Sequence, residues 1–111
     1  MDIATLGFAP GTYGLAVPTD VARLASVCDV TGAVATVSSC SGTDERAAAV
    51  AARSGAIAET MESAAWAHAA WRLGVACAEL RVISNRTGDR ARQGWDIPGA
   101  LQTLRDAVAR M

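Results

Sequence analysis

Along this chain the spacing of apolar positions switches between a period of two and a period near 3.6, and a glycine or a small polar residue marks each switch. From Ala33 to Ser39 the run A-V-A-T-V-S-S is rich in β-branched residues and predicts a strand, which ends in the small polar run Ser38-Ser39-Cys40-Ser41-Gly42. Thr43 has the chemistry of an N-cap, and Asp44 and Glu45 fall in the first turn, where the helix dipole favours negative charge. The helix runs through an alanine-rich stretch to Arg53, and Gly55 supplies the left-handed residue that ends it. Ala56 to Met61 is predicted as the next strand, and Ser63 to Leu73 as a helix ended by Gly74. Ala64, Ala65, Ala67, Ala69 and Ala70 make this helix narrow enough to approach a sheet closely, with Trp66 and Trp71 as its large anchors. Val75 to Ser84 is the third predicted strand and Arg86 to Trp95 a polar loop. Asp96 can cap a last helix with Pro98 in its first turn, where a missing N–H costs nothing, and Leu101, Leu104, Val108 and Met111 form one apolar stripe along it.

Ahead of these elements the pattern is weaker. Gly7, Pro10, Gly11, Gly14 and Pro18 argue for an extended or looped lead-in, Thr19-Asp20 can cap a short helical turn through Ser26, and Asp29 to Gly32 reads as a turn. The order β-α-β-α-β-α, with short connections, predicts a three-layer α/β/α fold with a largely parallel sheet. The chain is expected to form a single domain, residues 1–111, with a loop-rich lead-in over 1–31 and an αβ core over 32–111.

Two strand ends carry polar chemistry. Met61-Glu62 closes the second predicted strand where a helix opens, and Ser84-Asn85 closes the third where a loop opens. Ligands of open α/β sheets bind in the crevice outside the carboxyl ends of the strands, so both dipeptides are expected to face one crevice.

Composition narrows the chemistry. With 51% hydrophobic and 19% charged residues the chain reads as well buried, and a formal net charge of -1 leaves no electrostatic footprint for nucleic acid. All ten basic residues are arginine, which we read as compositional bias of the genome rather than as function. Apolar runs fall short of the ~20 residues that span a membrane, and no basic-then-apolar leader is visible, so a cytoplasmic location is expected. Cys28, Cys40 and Cys77 lack C-x-x-C spacing and have only His68 to join them, which argues against structural zinc; no cofactor or metal is expected. Cys77 reads as a small buried thiol, and Cys40, near the crevice, stays open as a nucleophile without a recognisable base.

The blocks M-E-S-A-A-W-A-H-A-A-W-R-L-G-V, R-V-I-S-N-R-T-G and W-D-I-P-G-A-L resemble the purine nucleoside phosphorylase and nucleosidase superfamily, and within it the futalosine hydrolases of the alternative menaquinone pathway. The resemblance runs from about Gly32 to Met111. It implies that Met61 and Glu62 contact ribose, the Glu62 carboxylate holding the sugar hydroxyls, and that Asn85, after I-S, addresses the purine where adenine-specific nucleosidases carry Asp. It further implies a homo-oligomer, a small-molecule purine nucleoside substrate (futalosine), and a base pocket beside Ser38 to Thr43, with Thr43, Ser84 and Arg86 among the substrate contacts. Family members have about twice this many residues. Their first half supplies a Gly-rich turn and, in the hydrolases, a Glu that activates water. Asp2, Asp20 and Asp29 stand in the wrong context to replace that Glu, so the chain reads as the C-terminal half of a nucleosidase.

The residue types suit that chemistry. Breaking an N-glycosidic bond builds positive charge on the ribose and negative charge on the departing base, so a site needs a carboxylate at the sugar and donors at the base. Glu62 can grip the 2′- and 3′-hydroxyls, and Asn85 offers an amide N–H₂ to N7 and O6 of a 6-oxopurine such as hypoxanthine. An amide is not a general acid. Arg86, Arg90 and Arg92 can meet the carboxylate end of futalosine, and Glu59 is a reserve acid on the strand leading to Met61. Plainer roles stand beside these: Glu62 as a helix-start residue complementing the dipole, Asn85 as a turn former, the arginines as a solvated surface, His68 as a packed imidazole, and Trp66, Trp71 and Trp95 as core or interface anchors. Three functions follow: hydrolysis of futalosine; another enzyme of the superfamily, either a phosphorylase or a methylthioadenosine/S-adenosylhomocysteine nucleosidase-like hydrolase; or a non-catalytic remnant that binds purine or a partner chain.

Overall fold

The computed structural model of the protein describes residue 22 and residues 24–111. The lead-in, with its expected cap at Thr19-Asp20 and with Asp2 and Asp20, lies outside the described residues. Ala22, Leu24 and Ala25 are helical, and Ser26 N–H donates to Ala22 O at 3.2 Å, as expected of a short turn there.

Two short strands, β1 (Val34–Thr36) and β2 (Ala58–Thr60), pair in parallel with Val34 opposite Ala58 and Thr36 opposite Thr60. The pairing extends past both ends of the ladder, because Ile57 N–H donates to Ala33 O at 2.9 Å and Val37 N–H to Thr60 O at 2.8 Å. A parallel pair cannot close through a hairpin, and the crossover is helix α1 (Asp44–Ser54). Helix α2 (Ser63–Leu73) follows β2, and helix α3 (Ile97–Ala109) closes the chain after a 3-10 turn over Arg90–Arg92. The parallel α/β class predicted from the sequence is the class observed.

The helices start and stop where local chemistry says they should. Thr43, in an extended conformation, accepts Arg46 N–H on its side chain, and Asp96 accepts Gly99 N–H at 2.9 Å with Pro98 in the first turn. Gly55 (φ 65°) and Gly74 (φ 64°) end α1 and α2 in the left-handed conformation that a Cβ would penalise.

Two expectations fail. Val75 to Ser84 makes no ladder: β1 and β2 bond to each other, and this segment is tied instead through side chains to the start of α2, where Ser63 Oγ donates to Glu79 at 3.0 Å. The expected dense burial is also absent. Among the described hydrophobic residues only Val50, Ala70 and Ala107 are buried, whereas Trp66 is 70% exposed and Leu73 76%. A two-stranded sheet of three-residue strands has too little area to cover three helices. The tryptophan anchors Trp66, Trp71 and Trp95 and most of the α3 stripe therefore face outward.

Candidate active site

Glu62 occupies the N-cap position of α2, yet its side chain caps nothing. The first-turn donors are taken by threonines of the two strands: Thr36 Oγ1 accepts Ala64 N–H at 2.9 Å, and Thr60 Oγ1 accepts Ser63 N–H at 3.4 Å. The Glu62 carboxylate is thereby left at the carboxyl end of β2 with 62% of its side chain exposed and a 3.7 Å ion pair to Arg81. Arg81 also bonds Glu79, which in turn accepts from the Ser63 hydroxyl. Met61, beside Glu62, is half exposed.

The sequence reading did not single out Arg81 or Glu79. Their signal was a pair of opposite charges two residues apart in an apolar run, which a period of two puts on one face. Among the described residues no hydrogen bond or ion pair joins Glu62 directly to Asn85. Arg81, three residues before Ser84 in the chain, pairs with Glu62 and so ties the segment that leads to Asn85 to the carboxyl end of β2.

Ser84 and Asn85 are half-buried. Asn85 Nδ2 donates to Arg86 O at 3.0 Å, and its Oδ1 accepts from the Ser84 hydroxyl at 3.2 Å. Both bonds are to adjacent residues, the pattern of a turn former. Ser84 O accepts Asp96 N–H at 2.8 Å, which ties this corner to the start of α3. Thr43 serves as a cap through Arg46 N–H. Arg86 is exposed.

The small polar run is bonded to β2 and to the loop after Asn85. Ser41 is fully buried, with its N–H donating to Glu59 Oε2 at 2.9 Å and its hydroxyl to Glu59 Oε1 at 2.7 Å. Gln93 Nε2 donates to Ser41 O at 2.9 Å and to Gly88 O at 2.7 Å. Gly88, at φ 124°, passes so near Asp44 that a Cβ there would lie 2.4 Å from its Oδ1. Asp44 accepts Asp89 N–H at 3.0 Å and pairs with Arg92, and these two contacts hold its carboxyl below the ordinary 3.8. Two of the three loop arginines thus have structural work, since Arg92 pairs with Asp44 and Asp89 while Arg90 packs against Gly42.

The remaining candidates are quieter. Cys28, Cys40 and Cys77 are free and half-buried, and the His68 ring lies tilted against Trp71 with centroids 5.5 Å apart. Among the described residues no three His, Cys, Asp or Glu side chains gather as a metal site, and no helix is long and apolar enough to cross a membrane. A cavity of about 360 Å³ between the end of β1 and α1 is lined by Thr36, Ser38, Arg46, Val50 and Arg53 among others, and by neither Glu62 nor Asn85. It is a cleft beside an exposed helix face, and Arg46 within it already donates to Ser39 O at 3.1 Å.

Comparison with known proteins bears on this geometry. The phosphorylase superfamily matches residues 20–111. A futalosine hydrolase of Acidothermus cellulolyticus is 49% identical over 88 residues, covering 78% of this chain and 36% of that protein. One of Streptomyces coelicolor is 40% identical over 116 aligned positions, covering this whole chain and 48% of that protein. One of Thermus thermophilus is 48% identical over 71 residues, covering 64% of this chain and 32% of that protein. The chain therefore spans less than half the length of these relatives. No solved structure matches. A parallel strand pair with Met61-Glu62 at the carboxyl end of β2, together with a family match that spans every described residue, establishes that this chain belongs to the phosphorylase superfamily.

Proposed function

We propose that the chain carries the sugar and base contacts of a futalosine hydrolase, an N-ribosyl hydrolase that releases hypoxanthine. The observation that carries this reading is the Glu62 carboxylate. It stands at the strand end with the capping work of its helix done by Thr36 and Thr60, so it remains available to a ligand. The names of the relatives, at 40% to 49% identity, supply the substrate.

In this mechanism the ribose lies against Met61, with its 2′- and 3′-hydroxyls donating to Glu62. As the glycosidic bond lengthens, the carboxylate offsets the growing oxocarbenium charge. Arg81 keeps Glu62 oriented before substrate arrives. Asn85 donates to the 6-oxopurine, exchanging its bond to Arg86 O for one to the base, while the Ser84 hydroxyl holds its amide oxygen. Arg86, the loop arginine free of structural pairing, meets the carboxylate end of the substrate. The chain works in a homo-oligomer or with a complementing polypeptide, and the water-activating group comes from the part of the relatives' length that this chain does not span.

The test is hypoxanthine release from futalosine by the 111-residue chain, alone and mixed with the portion of the Streptomyces coelicolor relative that it does not cover. Turnover is expected only in the mixture. In that mixture Asn85→Asp is expected to shift preference toward 6-aminopurines, since a mismatched buried pair costs about 1–3 kcal/mol. Formation of the 1-phosphate of the substituted ribosyl product would point to phosphorolysis instead, and binding without turnover in the mixture to a purine-binding remnant.

A further inference from the structure

We propose that Glu59 is a positioning residue that fixes the Asn85-bearing loop through Ser41 and Gln93. The sequence reading held it in reserve as an acid, but both of its carboxyl oxygens are directed at Ser41, at 2.9 and 2.7 Å, and Ser41 is fully buried. Every polar atom of that serine is engaged: its N–H and hydroxyl by Glu59, and its carbonyl by Gln93 Nε2 at 2.9 Å and Gly88 N–H at 3.4 Å.

Three segments distant in sequence therefore meet at one residue, Ser41. Strand β2 supplies Glu59, the polar run supplies Ser41, and the loop after Asn85 supplies Gly88 and Gln93. Gly88 lies only three residues beyond Asn85. With Ser84 O held by Asp96 N–H on the other side, the Asn85 turn is anchored at both ends. A charged acceptor taking two donors from one buried residue is stronger and more directional than a neutral one, which suits a part that must not slip. The portion of this role that concerns the purine rests on the function proposed above.

The experiment is amide hydrogen exchange and side-chain amide NMR on the 111-residue chain and on Glu59→Ala, Glu59→Gln and Gln93→Ala, with the α3 amides as an internal measure of global stability. In Glu59→Ala, exchange at Ser41 and Gly88 is expected to rise about tenfold or more while α3 is unchanged, and the Asn85 side-chain resonances should shift. Glu59→Gln should fall between, as a partial rescue. Gln93→Ala should release Gly88 and move Asn85 while Ser41 N–H stays protected. If Glu59→Ala does not fold, the other two variants decide. Unchanged Gly88 exchange and Asn85 resonances in Glu59→Gln and Gln93→Ala would overturn the proposal. Hypoxanthine titrated into the unmutated chain separates the two claims: absence of binding counts against the base-site reading, while the exchange rates still decide whether Glu59 positions the loop.

Discussion

Thr36 on β1 accepts the Ala64 N–H of α2 at 2.9 Å, so the helix that begins beside Glu62 is capped from the neighbouring strand and not by its own N-cap residue. This division of labour separates the structural and chemical duties of adjacent residues. Thr36→Val keeps the shape and removes the acceptor, leaving a helix-end donor without its partner. Loss of such a cap costs about 1 kcal/mol, which in a domain of this size lowers the melting temperature by roughly 4–8 °C. Thr36→Ser should retain most of the stability. Thermal unfolding followed by circular dichroism checks both.

Glu62→Gln should behave in the opposite way. The carboxylate caps nothing and its only ion pair among the described residues is an exposed one at 3.7 Å, so unfolding free energy should change by less than about 1 kcal/mol. Turnover of the complemented enzyme should nevertheless fall by roughly 10²-fold or more, as when one preorganised electrostatic group is lost. A variant that unfolds, or one that retains full activity, would return Glu62 to an ordinary helix-start role.

Asp44 gives the chain an acid-sensitive joint between α1 and the Gly88–Arg92 loop. Its carboxyl is held below the ordinary 3.8 by the Asp89 N–H first and by Arg92 second. A carboxylate with a depressed folded-state value binds its proton more readily in the unfolded chain. Its stabilising contribution is therefore fully present above about pH 4 and is lost as pH falls through the folded value. Carbon-detected NMR should show the Asp44 carboxyl titrating below 3.8, and Asp44→Asn should flatten the stability profile in that acid window. An Asp44 midpoint at or above the ordinary value would remove the basis for this joint.

What the sequence made legible follows the range of the interactions involved. Thr43, Gly55, Gly74, Asp96 and Pro98 act within a few residues of themselves, so the three helices stand where their caps predict. Val75 to Ser84 has the composition of a strand, but a strand exists only through a neighbour's backbone, and that neighbour is a property of the whole sheet. The same limit hid the environment of the candidate site. Glu62 and Asn85 were visible as residue types at predicted strand ends, whereas Arg81 beside Glu62, and Ser41 as the partner of Glu59, depend on contacts 18 or more residues apart in the chain. The strand threonines that cap α2 were equally invisible, because Thr36 lies 28 residues from Ala64.

The outward apolar surface leads to the last prediction. Thirteen large hydrophobic residues, including Trp66, Trp71, Leu73, Ile83, Trp95 and Leu101, stand at least 43% exposed among the described residues. Single exposed apolar residues are normal, but a parallel sheet is ordinarily covered on both faces, and here large side chains of two helices and of the Val75–Ser84 segment remain uncovered. At about 25 cal/mol per Å² of apolar surface removed from water, covering even a few hundred Å² offsets much of the cost of association. The isolated chain is therefore expected to self-associate, its weight-average mass in sedimentation equilibrium rising with concentration. Trp66→Ser combined with Leu73→Ser should weaken that association with little effect on the monomer's fold, because neither side chain is buried in it. The uncovered portion of the Streptomyces coelicolor relative should compete with self-association and raise the unfolding midpoint. A chain that stays monomeric at high concentration, with a sharp cooperative transition unaffected by that portion, would mean that these side chains need no cover.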